Sequence, residues 1–445
     1  MTVAPAAPAR ALLKQVLALA APTSLLAVLQ VAAQLAETAL AARQGTAALA
    51  GWAVLLPFAL LLQQMSAGAM GGGVVSAVAR ALGAKRVDEA SALVLHALII
   101  ALVGGLLFAI GLSVFARPML AAVAGPAAAD AATAYAVWLF GAGAIPVWLA
   151  NTLASVLRGG GRHALAARTL VLMWIVFPFL AWVLAEPAGF GLAGVGAALA
   201  LVSWAAAIAM AFAVMRGGAG FVPSLRARPS GELFKRILAV GTVACVLATL
   251  ANLTTILVTA QLRSHGVVAV AAYGIAARLE FLVVPLAFGV GSALTALVGR
   301  AVGGGDWPTA RRTAWVGGLL SFAVTGVIGL GVGLVPLGFA QLFTRDAAVA
   351  DIAARALGFT GPAFGGFGLG MAMYFASMGA GRMRWPVLAA LARIGLAVGG
   401  GWWLANVAGL GLEGHFIGVA LGITAYGAIT ASSVRPGAWP GAVRS

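Results

Sequence analysis

The sequence predicts an all-α integral membrane protein of about twelve transmembrane helices arranged as two six-helix lobes. Three observations carry that reading: the composition, the spacing of the apolar runs with basic clusters between them, and an internal repeat. Of 445 residues, 62% are hydrophobic and 9% are charged, and the mean hydropathy is +1.06. A soluble chain has about a quarter of its residues charged, so the solvent for most of these side chains must be lipid. The 60 glycines fit, because small residues let membrane helices pack closely.

A membrane helix needs roughly 20 mostly apolar residues. Twelve such runs centre near Leu29, Leu62, Ala101, Ala144, Val176, Leu201, Leu250, Leu286, Val324, Gly366, Ala397 and Gly422. The run after the short basic segment Met1 to Lys14 is too long for the core of a signal peptide and has no distinct cleavage site, so it reads as a retained first helix. The least apolar stretch, Arg216 to Arg236, contains Pro223, Arg226, Arg228, Pro229 and Glu232. It divides the chain into an N-lobe (1–216), a cytoplasmic inter-lobe loop (217–234) and a C-lobe (235–445).

The net charge of +16 is a topology signal. No basic stripe with interleaved aromatics is present, so nucleic acid is not an expected partner. With the N-terminus placed in the cytoplasm, alternating segments put Arg10, Lys14, Arg80, Lys85, Arg86, Arg158, Arg162, Arg168, Arg216, Arg226, Arg228, Lys235, Arg236, Arg300, Arg311, Arg312, Arg382, Arg384, Arg435 and Arg444 on the inner side. The outer side holds Arg43, Arg117, Arg263, Arg345 and Arg355. Twenty against five follows the positive-inside rule, and an odd number of spans would destroy it. Both termini are therefore expected in the cytoplasm.

The chain also repeats itself. Lys14-Gln-Val-Leu-Ala-Leu matches Lys235-Arg-Ile-Leu-Ala-Val, and Gly45 matches Gly266, both at an offset of 221. Arg80-Ala-Leu-Gly then faces Arg300-Ala-Val-Gly, and Gly159-Gly-Gly-Arg faces Gly379-Ala-Gly-Arg, at an offset of 220. Six helices per repeat is an even number, so both halves share one membrane orientation, a transporter design in which substrate is handled at the interface of the halves.

Only Glu37 and Glu280 are acids inside predicted helices. A carboxylate in hydrocarbon costs several kcal/mol and is by default a functional hypothesis. Gln30, Gln34 and Glu37 fall on one face of the first helix at i, i+4 and i+7, with Thr38 beside them. That stripe faces a bundle interior or a watery cavity. Ion coupling at Glu37 and Gln34 is one reading; a structural hydrogen-bond network is the other. The equivalent stripe on the seventh helix, Asn252, Thr255 and Thr259, is uncharged, so protonation chemistry on these stripes belongs to the first half. On the eighth helix Arg278 and Glu280 are two residues apart and do not face one another, so each needs partners from other helices or water. Arg393 on the eleventh helix is similar, with ion pairing or carbonyl capping as alternatives to substrate contact. Gln63, Gln64 and Asn151 are polar candidates for a cavity or for helix contacts.

His96, His163, His265 and His415 are scattered in sequence, and Cys245 is the single cysteine, so neither a metal centre nor a disulfide is expected. Cys245 reads as core packing. No phosphate-binding Gly-x-x-x-x-Gly-Lys-Ser/Thr loop and no catalytic Ser/His/Asp or Ser/Lys set is present. No cofactor is expected, and energy comes from an H⁺ or Na⁺ gradient or from the substrate's own gradient.

The residues resemble the multidrug and toxic compound extrusion (MATE) transporters. Ala36-Glu-Thr-Ala-Leu-Ala-Ala-Arg-Gln-Gly-Thr-Ala-Ala-Leu-Ala is similar to that family's first-helix signature. Gly68 to Gly83 with Arg80-Ala-Leu-Gly-Ala, and Leu157-Arg-Gly-Gly-Gly-Arg, are similar to its later N-lobe motifs. Ala271-Ala-Tyr-Gly-Ile, Arg278-Leu-Glu and Gly289-x-Gly-Ser-Ala fit in the second half. The resemblance implies an antiporter of the inner membrane that exports organic, often cationic compounds in exchange for H⁺ or Na⁺. It places the family's first-helix acid on Glu37, a Glu where Asp is usual. The fifth helix departs from the family pattern: an Asn and an acid are common there, but Val176-Phe-Pro-Phe-Leu-Ala-Trp is wholly apolar. H⁺ is thereby favoured over Na⁺, because a lone carboxylate out of water can titrate, whereas Na⁺ needs several oxygen ligands. Candidate substrate-cavity residues are Gln30, Gln64, Asn151, Asn252, Thr255, Arg278, Glu280 and Arg393. The expected partners are a small-molecule substrate and membrane lipid, with the chain a monomer and not an enzyme. The alternatives are a flippase for lipid-linked sugars of the same superfamily and, in another class, a membrane enzyme or receptor.

The topology has a direct test. A cysteine at position 226 on a Cys245→Ala background is expected to react with an impermeant reagent from the cytoplasmic side only. Labelling from the outer side overturns the twelve-helix reading.

Overall fold

Long apolar segments with their backbone hydrogen bonds satisfied internally are one of two solutions lipid permits, and the described residues are built from them. The computed structural model describes residues 8–435 and 437–439; Arg444 and the chain ends, and so the expected location of the termini, lie outside them. Among the described residues ten helices are long and apolar enough to span: Ala9–Arg43, Thr46–Gly83, Val87–Val114, His163–Ala185, Gly191–Met215, Gly231–His265, Val267–Gly303, Trp307–Leu334, Arg384–Asn406 and Leu412–Ser432. The fourth span is a pair, Pro126–Ala142 and Ala144–Gly159, bent by 41°. The tenth runs from Ala347–Thr360 through a 3₁₀ turn at Gly361–Ala363 into Phe364–Ala380. Pro362 has no N–H to donate, which explains that break. All twelve predicted centres fall inside these helices.

The repeat extends to backbone conformation. Gly45 and Gly266 precede the second and eighth spans with φ of 104° and 93°. Gly161 and Gly381 end the fourth and tenth spans with φ of 80° and 70°, a left-handed region that favours glycine. Each is followed by an arginine whose N–H reaches back five residues, Arg162 to Leu157 O and Arg382 to Ser377 O, both at 2.8 Å. This is the Schellman closure that satisfies otherwise orphaned helix-end carbonyls.

The chain forms two compact units, Pro22–Thr242 and Met1–Ala21 with Val243–Ser445. The divisions fall inside the first and seventh spans, at repeat-equivalent positions. Within the second of these units, Val16 and Ala20 are buried in a cluster with Val290, Ala293 and Leu294. A separate cluster there gathers Tyr273, Leu279, Phe364, Phe367 and Phe416.

Within Pro22–Thr242, the opening turns of the seventh span are fixed by backbone approach and by polar contacts. A Cβ on Gly73 would lie 2.8 Å from Ile237 O and 2.9 Å from Gly241 N, and one on Gly241 would lie 2.5 Å from Met70 Sδ. Only two glycines permit that approach. The third span contributes Glu89, which pairs with Arg236 and, at 2.9 Å, with Arg86. One face further along, buried His96 accepts a hydrogen bond at Nε2 from the Ser230 N–H at 2.8 Å, and its Nδ1 lies 2.8 Å from Ala92 O. That pattern requires the neutral imidazole, with Nδ1–H as donor. Its ring meets Phe234 edge-on at 4.6 Å.

Three of the five arginines expected on the outer side are matched by acids: Arg43 with Glu186 at 3.0 Å, Arg117 with Asp130 at 2.8 Å, and Arg355 with Glu413 at 3.7 Å. Cys245 is half-buried rather than part of a closed core.

Gly73→Ala is expected to lower the thermal midpoint of the detergent-solubilised protein by several degrees, since overpacking costs about 1–3 kcal/mol. Gly274→Ala, whose Cβ would meet nothing within 4 Å, is expected to hold or raise it. Equal midpoints for both variants in differential scanning fluorimetry would disprove the close-approach argument.

Candidate functional site

The two intramembrane carboxylates occupy different chemical settings, one in each unit. In Pro22–Thr242, Glu37 is only 7% exposed. Its Oε1 accepts a hydrogen bond from the Tyr135 hydroxyl at 2.5 Å. The buried indole N–H of Trp52 is a third polar group acting on both, without full hydrogen-bond geometry to either. Packing sets this arrangement. Gly51 brings the second span against Ala128 and Ala132, where a Cβ would approach Ala132 Cβ to 2.4 Å, and Tyr135 follows on that helix. Just beyond it, Val137–Ala142 is wound as a π-helix, a geometry that recurs at functional positions.

Gln30 and Gln34 are half-buried on the turns preceding Glu37. Gln34 serves through its carbonyl, which accepts from Thr38 Oγ1 at 2.7 Å. Among the described residues the hydrogen-bond partner of the Glu37 carboxylate is Tyr135, not Gln34. A second polar group in the same unit joins Asn151 Nδ2 to Gln63 Oε1 at 2.7 Å and to Ser66 Oγ at 2.9 Å. Gln64 opens the π-helical stretch Gln64–Met70 of the second span.

In the other unit, Arg393 donates to Glu280, with side-chain exposures of 13% and 15%. The two residues are 113 apart in sequence. Glu280 thus finds its partner on another helix, as its spacing from Arg278 required. The Arg393 guanidinium carbon lies 5.3 Å from the Phe367 ring centre and 5.8 Å from that of Tyr426, and Tyr273 is within electrostatic reach of both charges. Arg278 itself is exposed. On the seventh span Asn252 donates to Ala248 O, and Thr259 donates to the Thr255 carbonyl, both within their own helix. His265 and His415, 150 residues apart in the chain, meet edge-on at 5.3 Å. Among the described residues no three His, Cys, Asp or Glu gather as a metal site.

A family model, MatE, matches residues 22–183 and again residues 242–403. This chain belongs to the MatE family. The two matched segments are displaced by 220 residues, and they begin where the two compact units divide. The chain is 30% identical over 286 residues to a protein named "Probable multidrug resistance protein NorM" from Xanthomonas campestris, covering 62% of this chain and 59% of that protein. A protein of the same name from Caulobacter vibrioides is 31% identical over 157 residues, 34% of this chain and 32% of the relative. The matched segments therefore span less than two thirds of these relatives. Solved structures share the MATE fold. A MOP superfamily transporter from Pyrococcus furiosus, whose binding pocket is described as having reverse polarity, superposes with a TM-score of 0.87 at 22% identity, covering 97% and 98% of the two chains. The Vibrio cholerae MATE transporter VcmN in the bent form gives 0.87 at 20% identity, covering 96% and 97%.

For this MatE chain, sequence reading located both carboxylates but missed the aromatic partners. Tyr135, Trp52, Phe367 and Tyr426 look like apolar filling in a hydrophobic chain. One signal existed: there are only four tyrosines, and a buried tyrosine hydroxyl needs a polar partner.

Tyr135→Phe removes the hydrogen bond to Glu37 and is expected to cost about 1–3 kcal/mol, the usual penalty for a buried group left unsatisfied. Glu37→Gln keeps an acceptor for Tyr135 and is expected to cost less. Thermal midpoints in detergent would reveal the order; a larger loss for Glu37→Gln would contradict it.

Proposed function

We propose that this chain is a secondary exporter of small organic, cationic or amphipathic compounds, coupled to proton entry at Glu37. It acts in the inner membrane as a monomer surrounded by lipid, with both termini in the cytoplasm, no cofactor and no enzymatic step. The observation carrying the coupling proposal is that Glu37 is buried against the neutral Tyr135 and Trp52. A tyrosine hydroxyl is both donor and acceptor. It can donate to the carboxylate and, after a half-turn of the hydroxyl, accept from the carboxylic acid. Both protonation states of Glu37 therefore retain a partner, and that property suits a group that loads and releases a proton in every cycle. A fixed structural carboxylate is better served by a cation or by several N–H donors.

Sodium is the weaker candidate. It requires a cage of oxygens, and the fifth-span stretch Val176 to Trp182 is apolar, with Phe177 fully buried. The multidrug resistance names of the relatives support the substrate class.

Reconstituted vesicles provide the test. A pH gradient alone is expected to drive export of ethidium and related organic cations, and replacing Na⁺ with K⁺ or choline is expected to leave the rate unchanged. Glu37→Gln is expected to abolish gradient-driven export in protein that still folds and inserts. Saturable dependence on Na⁺ at constant pH, absent with K⁺, would refute proton coupling; full activity of Glu37→Gln would return Glu37 to a structural role.

A further inference from the structure

The proton reading uses Glu37 and leaves the other intramembrane carboxylate, the half-buried Glu280, without a task. Glu280 is paired with Arg393, whose guanidinium lies against two aromatic rings, Phe367 and Tyr426, contributed by the tenth and twelfth spans, with Tyr273 on the Glu280 helix. A carboxylate combined with aromatic faces is the donor set that recognises organic cations: the carboxylate supplies charge, and the ring quadrupoles hold a weakly hydrated cation that sheds water cheaply. That set is occupied by Arg393, whose delocalised guanidinium is itself a weakly hydrated organic cation. We propose that Glu280, Tyr273, Phe367 and Tyr426 form an organic-cation binding site, and that Arg393 is a tethered competitor which an incoming cation displaces. The proposal deepens the reading of this chain as an organic-cation exporter and rests on it.

Two further observations favour displacement over a permanent clasp. The pair is not sealed, since both side chains retain some exposure, 13% for Arg393 and 15% for Glu280. Directly after Arg393 the eleventh span becomes a π-helix at Gly395–Gly400, and a Cβ on Gly395 or Gly399 would meet nothing within 4 Å. The backbone that follows the arginine is thus π-wound and open on its exposed Gly395 and Gly399 side, although its other side packs closely on the twelfth span, where a Cβ on Gly422 would lie 2.8 Å from Arg393 O. A helix clasp needs neither feature, and apolar residues of similar volume serve that purpose as well as a buried ion pair.

Tetraphenylphosphonium and tetraphenylborate have the same shape and opposite charge, so their binding to the purified full-length protein separates charge recognition from packing. Arg393→Gln frees the carboxylate and is expected to tighten tetraphenylphosphonium binding about tenfold or more. Glu280→Gln leaves the arginine alone and is expected to weaken tetraphenylphosphonium about tenfold while tightening tetraphenylborate. Arg393→Lys, which keeps the charge pair but not the planar stacking, is expected to fold normally and to tighten tetraphenylphosphonium to a smaller degree. Opposite signs for Arg393→Gln and Glu280→Gln support the site, because a purely structural pair would weaken binding in both. Weakening in both, or changes within about twofold in both together with an unchanged Arg393→Lys, overturns it. Absence of binding by every form overturns it as well. Opposite shifts in protein whose vesicles export nothing under either gradient would leave the site standing and remove the exporter reading instead.

Discussion

In hydrocarbon a polar group has no water to fall back on, and the rest of this structure follows from that constraint. Backbone groups are satisfied within helices, and the side chains behave likewise. Thr38, Ser66, Thr254, Thr259, Thr325 and Thr430 each donate to a carbonyl three or four residues back. Polar groups that cannot be satisfied locally reach across helices, as Tyr135 does to Glu37 and Arg393 to Glu280.

The same constraint gives the glycines their importance. With apolar side chains and apolar solvent alike, helix association depends on close contact, and Gly73 against Gly241 provides it where the seventh span begins. Glu89, Arg236 and the neutral His96 then add polar contacts to those turns. The seventh span therefore opens as part of Pro22–Thr242, although the sequence repeat assigns its first residues to the second half. The first span divides at the equivalent position.

Duplication preserved the turns but not the chemistry. Gly161 and Gly381 retain the same left-handed conformation and the same closing hydrogen bond, because steric exclusion at positive φ leaves little alternative. Glu37 has no acidic counterpart on the seventh span, and Arg393 has none among the polar groups around Glu37. One half holds a carboxylate among neutral partners; the other holds one already balanced by a cation. The halves share an architecture and differ in how their intramembrane carboxylate is partnered.

The sequence alone determined the class, the spans and the repeat. Those features follow from composition, run length, basic clusters and glycine spacing, all of which are local or periodic properties of the chain. It also exposed Glu37 and Glu280, because an acid in an apolar run stands out wherever the chain folds. Tertiary structure alone decided what each acid faces. Tyr135 lies 98 residues from Glu37, and Arg393 lies 113 from Glu280, and no periodicity encodes separations of that kind. It likewise brought together His265 and His415, which look isolated in sequence, and set the unit boundaries within two helices rather than in the polar loop between the lobes. In both cases the physical reason is the same: side-chain partners and packing partners are chosen by helix-to-helix contact, which the linear order of the spans does not specify.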